Sequence, residues 1–146
     1  MKKLSIEEFA DRVSALMPVI MKEYMKRQAV DFYKLKITMP QFFVLELLHR
    51  NGETKMSDIA GFLNVSTAAI TGIVDRLVRD GFAARASDPA DRRIVMIKLT
   101  AKGTATAKDI LLKRKETTIQ VFGMISQKER EDYLNILTHI QEHLTE

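Results

Sequence analysis

The sequence predicts a mainly α-helical fold carrying one small β-hairpin. Apolar residues recur at three- and four-residue spacing through most of the chain. Two Ser-x-x-Glu pairs, Ser5/Glu8 and Ser126/Glu129, stand just ahead of such stripes as capping boxes. Only the stretch after Gly81 changes to the period-two alternation of strands.

Taken in order, Ser5 opens a helix whose stripe is Phe9, Val13, Leu16, Ile20 and Tyr24. A second stripe, Met17, Met21 and Met25, lies beside it. Two stripes are satisfied either by a core plus a partner subunit or by one broad intramolecular core. Pro18 is expected to kink or split this helix near Met17. Residues 33–38 read as a connection. Pro40 suits a first helical position, and the run from Gln41 to Arg50 ends at Asn51-Gly52, with Phe43, Val44, Leu47 and Leu48 on the buried side. Met56, Ile59, Ala60 and Leu63 mark a short amphipathic helix. Ser66 is a good N-cap for a helix reaching Asp80, buried through Ile70, Ile73, Val74, Leu77 and Val78 and stopped by Gly81. Residues 82–87 and 94–99 flank the polar tip D-P-A-D-R-R as a hairpin. Thr100 caps a long helix to about Phe122, Gly123 breaks it, and the last helix carries Tyr133, Leu137, Ile140 and Leu144 as one stripe.

The bulk properties set limits on function. In 146 residues, 46% apolar and 29% charged, there is material for a packed domain. The absence of cysteine excludes disulfides, thiolate-held metals and thiol redox sensing. The opening M-K-K-L-S-I-E-E develops no apolar run and is not expected to be a secretory signal, nor is any segment long enough to span a bilayer. A cytoplasmic chain without a membrane partner is expected. The net charge of +4 suggests an anionic partner.

Two short helices joined by about three residues form a helix-turn-helix, and a hairpin directly after it makes a winged helix. On double-stranded DNA the second helix fits the major groove, the only groove wide enough for it. Its outward face would carry Ser66, Thr67, Ala68, Thr71, Asp75, Arg76 and Arg79. Small residues at its start permit close approach, hydroxyls bond phosphates or bases, and arginine forks onto guanine. Arg92 and Arg93 at the hairpin tip suit the electronegative minor groove. From Ser66 to Gly103 the cations Arg76, Arg79, Arg85, Arg92, Arg93, Lys98 and Lys102 face Asp75, Asp80, Asp88 and Asp91, a balance of +3 within the chain's +4. Winged helices also serve as protein-interaction modules, so spacing alone leaves that alternative open.

The run I-A-G-F-L-N-V-S-T-A-A-I-T-G-I-V-D-R-L-V-R-D-G-F-A-A-R, then D-P-A-D-R-R, then V-M-I-K-L-T-A-K-G, strongly resembles the MarR family of multiple-antibiotic-resistance regulators. The resemblance covers the whole chain. It implies a ligand-responsive repressor, acting as a homodimer on a pseudo-palindromic operator. Residues 1–36 and 104–146 would form the dimerisation helices, with Phe9, Val13, Tyr133, Leu137, Ile140 and Leu144 in the interface, and residues 37–103 the DNA-binding lobe. By position, Asp91 matches the aspartate that braces the wing, Arg93 the arginine that enters the minor groove, and Arg92 a neighbouring phosphate contact. Thr67, Ala68, Thr71 and Arg76 match recognition-helix positions. The helix before departs from the pattern: Lys55 stands where the family often has a capping threonine, so Thr54 is expected to cap it instead. The family's cleft for a small aromatic or phenolic effector would here be lined by Met17, Met21, Tyr24, Phe42 and Phe43.

No catalysis is expected. His139 to His143 spells H-x-x-E-H, a zinc-peptidase pattern, but no acidic ligand follows and helical periodicity already explains Ile140. No cofactor and no metal is assigned, and without a third ligand the sequence leaves open whether His139 and His143 hold an ion.

Overall fold

The computed structural model describes residues 3–145, with the side chains of 29–32 set aside. It contains helices α1 (Ile6–Leu35), α2 (Met39–Asn51), α3 (Met56–Leu63), α4 (Thr67–Arg79), α5 (Ala101–Phe122) and α6 (Gln127–Leu144), with strands β1 (Thr54–Lys55), β2 (Ala83–Ser87) and β3 (Val95–Leu99). The chain divides into two compact units, one of residues 1–27 and 114–146, the other of residues 28–113. Helices α1 and α5 each contribute to both. The last turns of α1 and the first turns of α5 therefore belong with the central unit.

The central unit holds the core. Phe42, Val44, Leu45 and Leu48 of α2, Ile59 of α3, Ile70, Val74 and Leu77 of α4, Ile97 of β3, and Ala107 and Ile110 of α5 are buried together. Each large apolar side chain withdrawn from water in this way contributes about 1.5–3 kcal/mol. The sheet is antiparallel with order β1-β3-β2, pairing Thr54 with Ile97 on one side and Arg85 with Ile97 on the other. Ile97 is thus the central residue of the sheet and has no exposed surface.

Helix ends follow from local chemistry. Thr38 caps α2, its hydroxyl oxygen accepting from the Gln41 N–H while the Gln41 side chain accepts from the Thr38 N–H at 2.8 Å. Helix α2 therefore starts one residue before Pro40. Between α3 and α4 the chain bends through 109°, within the usual helix-turn-helix range. Asn64 makes the bend in the left-handed conformation, φ 51° and ψ 47°, a conformation asparagine tolerates better than most residues.

Three sequence expectations are corrected. Helix α1 is one helix from Ile6 to Leu35 with Pro18 inside it, so of the expected kink or split the split does not occur: a helix of 30 residues gives up one amide donor and keeps the rest. The connection after it is shorter than residues 33–38, because the helix continues to Leu35. Thr54 does not cap α3. Its hydroxyl donates to the Gly52 carbonyl at 2.9 Å, and Lys55 occupies the cap position without a side-chain bond.

The outer unit is different in kind. Its α5 and α6 segments meet through a stacked pair, Phe122 and Tyr133, with ring centroids 5.3 Å apart. The guanidinium of Arg130 donates to the carbonyls of Phe122 and Ile125, closing the end of α5. The Tyr24 and Thr118 hydroxyls share a 2.6 Å hydrogen bond that links α1 to α5. Ser126 and Glu129 form the expected capping box, and the bond from the Ser126 N–H, then that from its hydroxyl, holds the Glu129 carboxyl below its ordinary range. Among the described residues, all the buried apolar side chains nevertheless lie in the central unit.

Candidate nucleic-acid interface

Helix α4 is amphipathic in the manner its sequence dictates. Ile70, Val74 and Leu77 are fully buried, and Ile73 and Val78 are half-buried. Thr67, Ala68, Asp75, Arg76 and Arg79 are exposed, with Thr71 half-buried at their edge. Ser66 caps the helix, its hydroxyl oxygen accepting from the Ala69 N–H at 3.2 Å. A cap of this type contributes about 1 kcal/mol. It occupies the oxygen's acceptor side only, so the hydroxyl proton remains for an outside acceptor. The first-turn amides of α4 have no partner within the helix, and together with its dipole they suit a phosphate. Thr71 donates to the Thr67 carbonyl at 2.7 Å and must rotate to donate elsewhere.

The wing tip, residues 88–94, is organised by two aspartates. Asp88 accepts from the Ala90 and Asp91 amides at 2.7 and 3.3 Å, and its own N–H donates to the Ile94 carbonyl at 3.1 Å. Asp91 accepts the Arg93 amide at 3.0 Å through its side chain. The Ile94 amide donates to the Asp91 carbonyl, also at 3.0 Å. These turns fix the backbone that carries Arg92 and Arg93 while both guanidinium groups stay exposed.

The charge surplus is unevenly available. Arg85 of β2 pairs with Asp75 of α4, tying the helix to the sheet. Arg79 pairs with Asp80 at 3.1 Å and holds that carboxyl below the usual range. Lys102 donates to the Asp80 carbonyl at 2.7 Å and lies over the Phe82 ring. Arg76, Arg92 and Arg93 make no ion pair among the described residues. The two ion pairs cancel, and the balance of +3 is left with Arg76, Arg92, Arg93, Lys98 and Lys102 against Asp88 and Asp91, the three guanidinium groups being without an ion pair among the described residues. Sequence reasoning missed the Asp75–Arg85 pair, because nothing in the spacing shows that the middle of β2 lies beside the second half of α4.

The remaining site expectations fall in both units. Phe42 lies in the central core, 1% exposed, and the expectation that Phe43 is on the buried side is corrected: it is 37% exposed, because α2 turns Phe42 inward instead, with the two ring centroids 5.9 Å apart. Met17 and Met21 are exposed in the outer unit, and Tyr24 is bonded to Thr118. Phe9, Tyr133, Leu137, Ile140 and Leu144 are exposed apolar residues of that unit, with Val13 half-buried.

A helix-turn-helix continued by a three-stranded wing, with uncommitted arginines on helix and tip, defines a winged-helix module of the nucleic-acid-binding type. The MarR family model matches residues 37–95. A MepR-like protein of known structure is 30% identical, with a TM-score of 0.63 over 92% of this chain and 94% of that one. The fold is shared with a MarR family protein from Bacillus stearothermophilus, with a TM-score of 0.84, 23% identity, and coverage of 97% and 99% of the two chains. The transcriptional repressor MdtR of Bacillus subtilis is 31% identical over 66% of this chain and 62% of its own length. The chain belongs to the MarR family, and the relatives it matches are transcriptional regulators, not enzymes. It spans 44%, 64% and 62% of the length of three such curated relatives. No single helix among the described residues is long and apolar enough to cross a membrane.

Proposed function

We propose that this chain is a sequence-specific double-stranded-DNA-binding repressor that acts in the cytoplasm as a homodimer. The observation that carries the reading is that Arg76 in the last turn of α4 and Arg92 and Arg93 on the wing make no ion pair among the described residues, while the N-terminus of α4 is suited to phosphate. Helix α4 reads the major groove, Arg93 enters the minor groove, and Arg92 and the Ser66 hydroxyl contact phosphates. In vitro selection on random duplex DNA tests this. The expected product is a pseudo-palindrome with half-sites about one helical turn apart. On the selected site, log affinity should fall against log salt with a slope steeper than about −4, since each neutralised phosphate contributes about −0.9. Weak binding with little salt dependence would instead favour a protein-interaction module.

The dimer rests on the outer unit. Leu16, Val19, Ile119, Leu134, Leu137 and Ile140 are all 43–62% exposed, on three helices of a unit that buries no apolar side chain among the described residues. Apolar surface on this scale is covered in a stable soluble protein. Leu137→Asp is expected to convert the dimer to monomer in light scattering while leaving the helical circular dichroism intact. A variant still dimeric would remove α6 from the interface. Response to a small aromatic or phenolic effector is part of the same reading. Ligand release of the selected DNA, screened across phenols and aromatic acids, is its test.

A further inference from the structure

We propose that His139 and His143 form a chelating site for one divalent metal ion per chain, taking copper(II) or nickel(II) ahead of zinc. The two histidines are exposed and one turn apart on α6, with ring centroids 4.5 Å apart. The Nδ1 of His143 lies 2.8 Å from the His139 carbonyl oxygen. A carbonyl can only accept, so Nδ1 carries the proton in that bond and Nε2 keeps the lone pair a metal needs. This is the arrangement by which a backbone carbonyl orients a metal-binding imidazole.

The affinity order of divalent ions for nitrogen ligands points to the class of ion and favours copper(II). The two rings lie edge to face, with planes at 89°, so both exposed side chains turn to bring their Nε2 atoms onto one ion. Imidazoles one turn apart on a single helix take neighbouring, cis positions, which the square-planar geometry of copper(II) and nickel(II) offers. Among the described residues no third His, Cys, Asp or Glu joins the pair, so water fills the remaining positions. At 3.6 residues per turn the pair lies roughly 100° around α6 from the Tyr133, Leu137, Ile140 and Leu144 stripe. It stays open to solvent when that stripe is covered.

The chain has three histidines, and the third, His49, lies on α2 in the other unit, which supplies an internal control. The test is calorimetric titration of the full chain with copper(II), nickel(II) and zinc(II) chlorides, with electron paramagnetic resonance on the copper form. One ion per chain is expected, bound in the order copper, nickel, zinc, with nitrogen hyperfine structure. His139→Ala and His143→Ala should each weaken copper binding by at least about tenfold, because the second ligand loses its intramolecular advantage. His49→Ala should change nothing. Affinity unaffected by either α6 substitution, one ion per two chains, or tightest binding of zinc would each overturn the proposal. Both residues are exposed, and circular dichroism of the variants checks that α6 still forms.

Discussion

Arg93→Ala is expected to lower operator affinity by roughly 30-fold to 10⁴-fold, from a loss of about 1–3 kcal/mol in each of two half-sites. The prediction depends on how the wing is built. The bond from the Arg93 amide to Asp91 is a backbone bond, so alanine keeps it and the tip retains its shape. What is removed is a guanidinium that makes no ion pair among the described residues. Folding stability should therefore stay within about 0.5 kcal/mol of the parent, as for exposed residues generally. A gel-shift or fluorescence-anisotropy titration on the selected site, paired with a thermal melt, separates the two effects. Arg92→Ala is the comparison. A phosphate contact should weaken binding evenly across sequences and reduce the salt slope by about one per half-site. Unchanged affinity for Arg93→Ala would remove the tip from the DNA interface.

Gly103→Ala should destabilise the central unit by at least about 3 kcal/mol, above the usual range for one added methyl group. Gly103 stands in the first turn of α5, where the chain leaves β3. A Cβ there would lie 1.8 Å from the Phe82 carbonyl oxygen and 2.8 Å from the Phe82 carbonyl carbon. That carbonyl cannot move aside, since it accepts the Thr100 amide at 3.1 Å. The Thr100 hydroxyl meanwhile donates to the Gly81 carbonyl at 2.5 Å and accepts from the Gly103 amide at 3.0 Å. Helix, strand end and turn are thus joined by three bonds around a space with no room for a side chain. The methyl group must push α5 off the sheet and break them. Gly61→Ala on α3 is the control: nothing lies within 4 Å of its added Cβ, and the helix should gain up to about 1 kcal/mol. Denaturant unfolding of both variants checks the pair. A Gly103→Ala protein as stable as its parent would show that α5 can shift without cost.

Most of the fold was legible because its signals are local. Ser66, Ser126 with Glu129, and Thr100 start helices through bonds reaching only three residues, and the sequence shows those partners directly. The buried stripe of α4 was likewise legible from helical period. Strand β1 was not. Two residues carry no periodicity, and Thr54–Lys55 is a strand only because Ile97 and Met96 lie opposite. The Thr38–Gln41 cap was hidden by Pro40, which drew the helix start one residue too late. At the candidate interface, the residue types and their order could be read from the sequence, but their availability could not. Which arginines are free depends on Asp75 meeting Arg85, a pairing set by tertiary packing.

The two-sided pairing of β3 has a thermodynamic consequence for the wing. With β1 on one flank and β2 on the other, and Ile97 sealed between them, the stem behaves as a rigid mount. Backbone freedom remains in residues 88–94, and two aspartates already restrict it there. If the tip docks on a duplex as proposed, ordering it forfeits little configurational entropy, and most of each arginine's electrostatic gain would survive as net affinity.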